Sequence, residues 1–97
     1  MRRAARIDAN QPAIVKALRA IGCSVTETSG VGGGFPDLVV GFRKRTLLLE
    51  VKDGSKPPSA RELTPDQVLW HISWRGQVAV VTSVEEAIAA VSAEGNL

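Results

Sequence analysis

The chain has 97 residues, enough for one domain over residues 1–97, and its 44% hydrophobic and 23% charged residues exclude a disordered or low-complexity protein. Its single cysteine, Cys23, excludes an internal disulfide, and no apolar run approaches a membrane span of ~20 residues. The formal net charge of +2 is too small to identify a partner, and no signal peptide is evident, so we expect an intracellular, cytoplasmic protein.

The first third of the chain predicts a helix and a short strand before a glycine-rich loop. Apolar residues recur at helical spacing up to Ile21, and Asp8 and Asn10 are both suitable N-caps for that helix. A strand is expected over residues 23–28, and the loop over residues 30–34 contains four glycines.

The middle of the chain predicts an antiparallel β-hairpin. Residues 38–42 and residues 46–52 are apolar and β-branched, and the basic residues between them form a short turn. Residues 53–63 contain glycine, serine and two prolines, which predicts a flexible loop.

Two capping boxes place the remaining helices. Thr64 with Gln67 predicts the start of a second helix, and Ser83 with Glu86 predicts the start of a third. Residues 77–81 are expected to form a buried strand between these helices. The resulting order α-β-β-β-α-β-α indicates an α/β layered domain with a mixed central sheet flanked by helices.

The strand over residues 46–52 carries two charges near its end. Alternation places Glu50 and Lys52 on one face, and unpaired charges in a dry interior cost several kcal/mol each. An isolated Glu-x-Lys is explained by an ion pair at the sheet edge. Asp37 favours another explanation for the two charges. It lies at the start of the partner strand, and an antiparallel hairpin brings that end of the partner strand beside Glu50.

Two converging carboxylates repel each other unless a cation lies between them. Oxygen ligands with open coordination positions suit Mg²⁺ or Mn²⁺, which keep several waters and bind substrate phosphates. Lys52 would then orient or help deprotonate the attacking water, or neutralise charge on the phosphate. The pattern therefore predicts metal-dependent hydrolysis of a phosphodiester.

The segments Gly34-Phe35-Pro36-Asp37 and Glu50-Val51-Lys52 resemble the core of the PD-(D/E)xK nucleases. The match is closer to the VRR-nuclease (virus-type replication–repair nuclease) family, and it runs from the first helix to the last strand. It includes Gly-x-Pro-Asp-Leu, Leu-Glu-Val-Lys, a proline-rich loop and Gly-Gln-Val leading into a strand. The resemblance implies a restriction-endonuclease-like fold and a DNA endonuclease that uses Mg²⁺ or Mn²⁺.

The resemblance also implies a role for each matched residue. It implies that Asp37, Glu50 and the backbone carbonyl of Val51 are metal ligands. It also implies that Lys52 is the catalytic lysine and that Gln67 helps to hold water or DNA beside the site. Many members carry a glutamate on the first helix as a further ligand, and we expect Ala13 at that position in this chain. Gln11 lies nearby and is an accessory candidate, directly or through a water.

Four residues of the second helix have competing explanations. Gln67 closes a capping box whether or not it serves the site. His71 is the only histidine, and its apolar neighbours favour packing over catalysis. Trp70 and Trp74 share a helix face, which favours core or dimer packing over stacking on unpaired bases.

Candidate DNA contacts lie outside the carboxylate site. They are Ser29 and Gly33 in the glycine-rich loop, Arg2, Arg3 and Arg6 in a basic arm over residues 1–7, and Arg43, Lys44 and Arg45 in the hairpin turn. Clustered cations and close-approach glycines suit a phosphate backbone. Alternatively, the glycine-rich loop is a simple connector, the basic arm is a solvated tail and the hairpin turn is merely charged. The two basic runs, taken alone, favour this alternative.

These observations together predict a structure-selective endonuclease for branched DNA, such as Holliday junctions. A two-fold homodimer would present paired sites to a symmetric substrate, and phosphate contacts rather than a recognition helix would select it. A nicking or flap-type nuclease of the same chemistry is the nearest alternative, and a catalytically silent DNA-binding subunit is the alternative from another class. A compact resolvase would suit a phage or a mobile element.

Overall fold

Four strands form one mixed sheet in the order β1-β2-β3-β4 in the computed structural model, which describes residues 7–93. The elements are α1 (Gln11–Ala20), β1 (Ser24–Glu27), β2 (Leu38–Phe42), β3 (Arg45–Val51), a short 3-10 helix (Pro58–Arg61), α2 (Pro65–Ser73), β4 (Val78–Val81) and α3 (Val84–Ser92). β1, β2 and β3 run antiparallel in turn, and β4 lies parallel to β3. The predicted α/β order and the mixed sheet are confirmed.

The β2–β3 hairpin closes through a two-residue turn at Arg43 and Lys44. Both residues have positive φ, 53° and 65°, as a type I′ turn requires. Arg45 begins β3 and pairs with Phe42, so it belongs to the strand and not to the turn. The register of the hairpin is therefore fixed from the turn to its open end.

The core lies between one face of the sheet and the helices α1 and α3. Its buried side chains include Ile14, Leu18, Leu38, Leu49, Val51, Val81, Ala87 and Val91. Alternation along β3 sends Leu48 and Glu50 to the other face, where α2 lies. β3 is the central strand with charges near its end, as the sequence indicated.

Two expectations about the second half of the chain are corrected. β4 is not a buried strand, because it lies at the sheet edge and leaves Val80 42% exposed. Glu86 does not close a capping box with Ser83. The Ser83 hydroxyl accepts the Glu86 amide proton, but the Glu86 carboxylate binds the amide and hydroxyl of Thr82 at 2.8 and 2.9 Å.

The loop after β3 is anchored where it leaves the strand. Asp53 is buried, and its Oδ1 accepts the amide and hydroxyl protons of Ser55 at 2.9 and 2.7 Å. These hydrogen bonds lower the pKa of Asp53. Gly54 packs so tightly on Thr82 that an added Cβ would lie 2.6 Å from the Thr82 carbonyl oxygen. The flexibility of the rest of the loop stays a prediction.

Asn10 does not cap α1. Its backbone is helical, and its side-chain amide instead donates to the carbonyl oxygens of Lys52 and Thr82 at 3.0 and 3.1 Å. The start of α1 is thereby attached to the ends of β3 and β4, which is the end of the sheet that carries the charges. No helix within residues 7–93 is long and apolar enough to span a membrane.

Candidate active site

Asp37 and Glu50 face each other at the open end of the hairpin. Leu38 pairs with Leu49 as the last residue pair of the hairpin, the Asp37 amide donates to the Leu49 carbonyl at 3.1 Å, and the Asp37 carboxylate lies close enough to Glu50 to raise its pKa. Opposite residues of an antiparallel pair share a face, here the one that bears α2. The convergence expected from the hairpin is present.

Two hydrogen bonds orient the Asp37 carboxylate. Its Oδ2 accepts the Val51 amide proton at 2.9 Å, and its Oδ1 accepts the Ser29 hydroxyl proton at 3.0 Å. In this arrangement the Ser29 hydroxyl proton is directed at Asp37, and the expectation that Ser29 donates to a DNA phosphate stays a prediction. Val51, expected to offer its carbonyl, contacts the site through its amide.

Glu50 is the buried acid of the site, with 2% of its side chain exposed. Its Oε2 accepts a proton from the Gln67 amide at 3.0 Å, and its buried Oε1 has no partner within residues 7–93. Burial raises the pKa of Glu50 to about 8, helped by the carboxylates of Asp37 and Asp8 and opposed by Lys52. The ionised form of Glu50 therefore has too little positive charge beside it to offset its burial.

Gln67 has both of the roles that the sequence left open. It closes the capping box of α2, where its Oε1 accepts the Thr64 amide proton at 2.9 Å and its own amide donates to the Thr64 hydroxyl at 3.2 Å. The same Oε1 accepts a proton from Lys52 Nζ at 2.8 Å, while the side-chain nitrogen binds Glu50. The cap thus holds a bridge between the acid and the lysine, whose Nζ lies 4.0 Å from Glu50 Oε2.

Gln11, and not the residue at position 13, is the α1 residue that reaches the site. Gln11 is fully buried, and its side-chain nitrogen donates to Glu27 at 3.2 Å and to the Ser29 hydroxyl at 3.4 Å. It is therefore linked to Asp37 through Ser29, and its Oε1 has no partner within the described range. Ala13 is exposed and lies about 200° around the helix from Gln11. The expectation that Ala13 occupies the site-facing position is wrong.

The remaining predicted DNA contacts divide into three groups. Arg45 is committed elsewhere, because its guanidinium donates to the carbonyls of Ala93 at 2.7 Å and Val91 at 3.4 Å at the end of α3. Its expected role in binding DNA stays a prediction. Gly33, Arg43 and Lys44 are exposed and stay predictions. Arg2, Arg3 and Arg6 lie outside the described residues.

The aromatic residues of α2 pack on one another. Trp70 and Trp74 stack with ring centroids 4.7 Å apart, and Phe35 meets Trp70 edge-on at 5.4 Å. His71 lies one turn after Gln67 and also contacts Trp70. Burial lowers the pKa of His71, and the charge of Lys52 lowers it further. These contacts favour packing roles, as expected.

Some residues that shape the site carried no functional signal in the sequence. Asn10 and Asp8 were interpreted only as helix caps, yet the first clamps the strand ends and the second acts on Glu50. Gly34 lies against the Asp66 carbonyl, where no Cβ fits, so it allows α2 to approach the loop. A glycine directly before Phe-Pro-Asp was the available signal for that close approach.

The site offers two carboxylates to a cation. Within residues 7–93 no group of three or more histidine, cysteine, aspartate or glutamate side chains is arranged to hold a metal ion. No protein-family model, curated protein or solved structure matches this chain. What the site can do therefore has to be inferred from its own chemistry.

Proposed function

We propose that this chain is an endodeoxyribonuclease that uses Mg²⁺ or Mn²⁺ and belongs to the VRR-nuclease family of the PD-(D/E)xK superfamily. The observation that carries the proposal is the pair of facing carboxylates, Asp37 and Glu50, beside Lys52 at the end of a central strand. The α-β-β-β-α-β-α order with a mixed sheet agrees with the restriction-endonuclease-like fold that the sequence resemblance implies.

The donor set fits a hard divalent cation. Glu50 Oε1 is a buried acceptor without a partner among the described residues, and the repulsion between Glu50 and Asp37 is what a cation relieves. Mg²⁺ commonly takes only one or two carboxylates and completes its coordination with waters and substrate phosphates. Asp37, Glu50 and the Val51 carbonyl would hold it. When bound, it would supply Lewis-acid stabilisation of the phosphate and a more acidic water.

The side chains around the carboxylates position the reacting groups. Ser29 and the Val51 amide fix both oxygens of Asp37. Lys52 donates to Gln67 at 2.8 Å and lies at the rim of the site with 12% of its side chain exposed. From there its ammonium would orient a water or neutralise charge that develops on the phosphate.

A homodimer on branched DNA is the assembly that we propose for this activity. Large exposed apolar side chains lie on α2, directly after it and at the β4 edge, and they are Val68, Leu69, Ile72, Trp74 and Val80. An apolar face of this kind marks an interaction surface. α3 shows no large exposed apolar residue among those described. Two-fold pairing through α2 would set two sites for paired cuts.

The experiment is a gel assay of the purified protein on four-way, flap and linear DNA with Mg²⁺, Mn²⁺ or EDTA. We expect metal-dependent cleavage of the four-way junction by the wild type and none by Glu50→Gln. Glu85→Gln, which removes an exposed acid of α3, is the matched control and should cleave normally. Binding of DNA without cleavage under every metal condition would contradict the nuclease and favour the silent DNA-binding subunit. Preferential cleavage of flaps would favour the flap-type alternative.

A further inference from the structure

The turn end of the β2–β3 hairpin carries a shallow groove of about 370 Å³, which we call the turn groove. Its floor is one row of the sheet, in which the register places Ser24 beside Gly41 and Gly41 beside Thr46. Its rim is formed by Arg43 and Lys44, and no acidic residue lines it. Ser24 and Thr46 are exposed, so their hydroxyls are accessible from solvent.

The lining of the turn groove suits an anion with several oxygens. Two hydroxyls can donate hydrogen bonds, two cations supply charge, and Gly41 leaves the floor without a side chain. A phosphodiester has this chemistry, and contacts to it come mainly from basic and hydroxyl side chains. A cationic ligand would be repelled by Arg43 and Lys44 at the rim.

Arg43 and Lys44 occupy turn positions that other residue types adopt at a lower conformational cost. Type I′ turns favour Asn-Gly, because both central residues take positive φ, and Arg43 and Lys44 have side chains that disfavour it. The Arg43 guanidinium lies 4.9 Å from the centroid of the Phe42 ring, which fixes its direction. Within residues 7–93 neither cation forms an ion pair. Their charge is therefore available to a ligand.

The turn groove and the carboxylates lie on the same sheet face. Alternation along β2 places Asp37 and Gly41 on that face, and the five residue steps from Asp37 to Phe42 span about 17 Å at ~3.4 Å per residue. Two phosphates bound at the two ends of the hairpin would therefore lie about 17 Å apart.

We propose that the turn groove binds a phosphate of the DNA about 17 Å from the phosphate that is cut at Asp37 and Glu50. This inference rests on the proposed function for its substrate. It adds a second, non-catalytic phosphate site with Ser24, Gly41 and Thr46 as its floor. The groove would set how the duplex arm lies along the hairpin and how far the DNA must extend beyond the cut.

The test replaces the two cations with the residues that the turn prefers. Arg43→Asn/Lys44→Gly keeps the type I′ turn and removes both charges, and Arg43→Lys/Lys44→Arg is the matched control that keeps them. Binding of a fluorescent 20-base-pair duplex in EDTA is measured against salt concentration. We expect the slope of log affinity against log salt to flatten by about 0.9 for each lost phosphate contact in the first variant and to stay unchanged in the control. Equal slopes for both variants and the wild type would overturn the proposal.

A second variant tests the floor without changing the turn. A Cβ at Gly41 would lie 3.8 Å from the Ser24 Cβ, which is an ordinary contact, so Gly41→Asp should fold and place a carboxylate in the groove. We expect weaker binding in EDTA than for Gly41→Ala, and equal binding would count against the floor. These binding results stand even if the wild type never cuts DNA. If it does cut, ethylation interference should identify a phosphate away from the cut whose modification weakens binding by the wild type but not by Arg43→Asn/Lys44→Gly.

Discussion

The two ends of the β2–β3 hairpin differ in how much of the molecule they depend on. At the open end, Asp37 and Glu50 are held by hydrogen bonds from the glycine-rich loop, from β3 and from α2. At the turn end, Arg43 and Lys44 are exposed, and the turn is closed by its own backbone pairing of Phe42 with Arg45. One end is a convergence of distant segments, and the other is a local structure.

The difference shows where the chain tolerates unfavourable electrostatics. Burial and a neighbouring carboxylate raise the pKa of Glu50 to about 8, so the open end is destabilised when both acids are ionised. The turn end carries its charges in solvent, where their repulsion is screened. A chain selected for stability alone would not keep the first arrangement, which is why we assign the chemistry to the open end.

The largest expected effect is the loss of cleavage when the open end is altered. Asp37→Asn, Glu50→Gln and Lys52→Ala should each reduce the cleavage rate at saturating Mg²⁺ by at least about 100-fold, because in the proposed mechanism each removes a group that would act at the reacting phosphate. Single-turnover assays on the preferred DNA measure this, and circular dichroism checks the fold. Wild-type rates for any of the three would break the assignment.

The second prediction concerns the stability of the metal-free protein against pH. The folded pKa of Glu50, about 8, exceeds its ordinary 4.5, so between these values the folded state binds more protons than the unfolded state. The free energy of unfolding in EDTA should therefore fall as the pH rises from 5 to 8, by at most about 1.4 kcal/mol per pH unit. Urea unfolding of the wild type and Glu50→Gln measures it. The variant should lack this decline. If the stability of wild type and variant changed with pH in the same way, the ionisation of Glu50 would not destabilise the folded protein.

The third prediction separates the two roles of Gln67. Thr64→Ala removes the hydroxyl cap and should cost about 1 kcal/mol of stability while leaving cleavage unchanged. Gln67→Ala removes the cap and the contacts to Glu50 and Lys52, so it should also slow cleavage by about 10-fold or more. Equal cleavage rates for the two variants, at a temperature where both are folded, would reduce Gln67 to a helix cap.

The fourth prediction locates the α1 residue that acts on the site. Gln11→Glu should lower the Mg²⁺ concentration needed for half-maximal cleavage, because Gln11 is linked through Ser29 to Asp37. It should also destabilise the metal-free protein, since the new carboxylate faces Glu27. Ala13→Glu makes the same charge change on the exposed face and should leave the Mg²⁺ titration unaltered. A response to Ala13→Glu alone would reverse this assignment.

The sequence predicts the interactions that follow from periodicity and misses those made to backbone groups far along the chain. Alternation in β3 and the pairing of its hairpin were enough to bring Asp37 beside Glu50, and Thr64 with Gln67 located α2. Asn10 binds carbonyls 42 and 72 residues away, and a carbonyl oxygen has no residue identity that a pattern could reveal. The contacts of Arg45 were missed for the same reason, because its partners are carbonyls at the end of α3.

The last and smallest effect is expected at the turn end. Arg43→Asn/Lys44→Gly should raise the free energy of unfolding by about 0.5–1 kcal/mol, because Asn-Gly adopts positive φ at lower cost than Arg-Lys. Arg43→Lys/Lys44→Arg keeps both side chains bulky and should leave stability unchanged. Urea unfolding in EDTA at pH 5, where Glu50 is largely protonated, isolates the turn from the open end. A variant that gains stability and loses affinity for DNA would show that the turn keeps its cations for binding. A loss of stability would mean that Arg43, through its contact with Phe42, supports the fold itself.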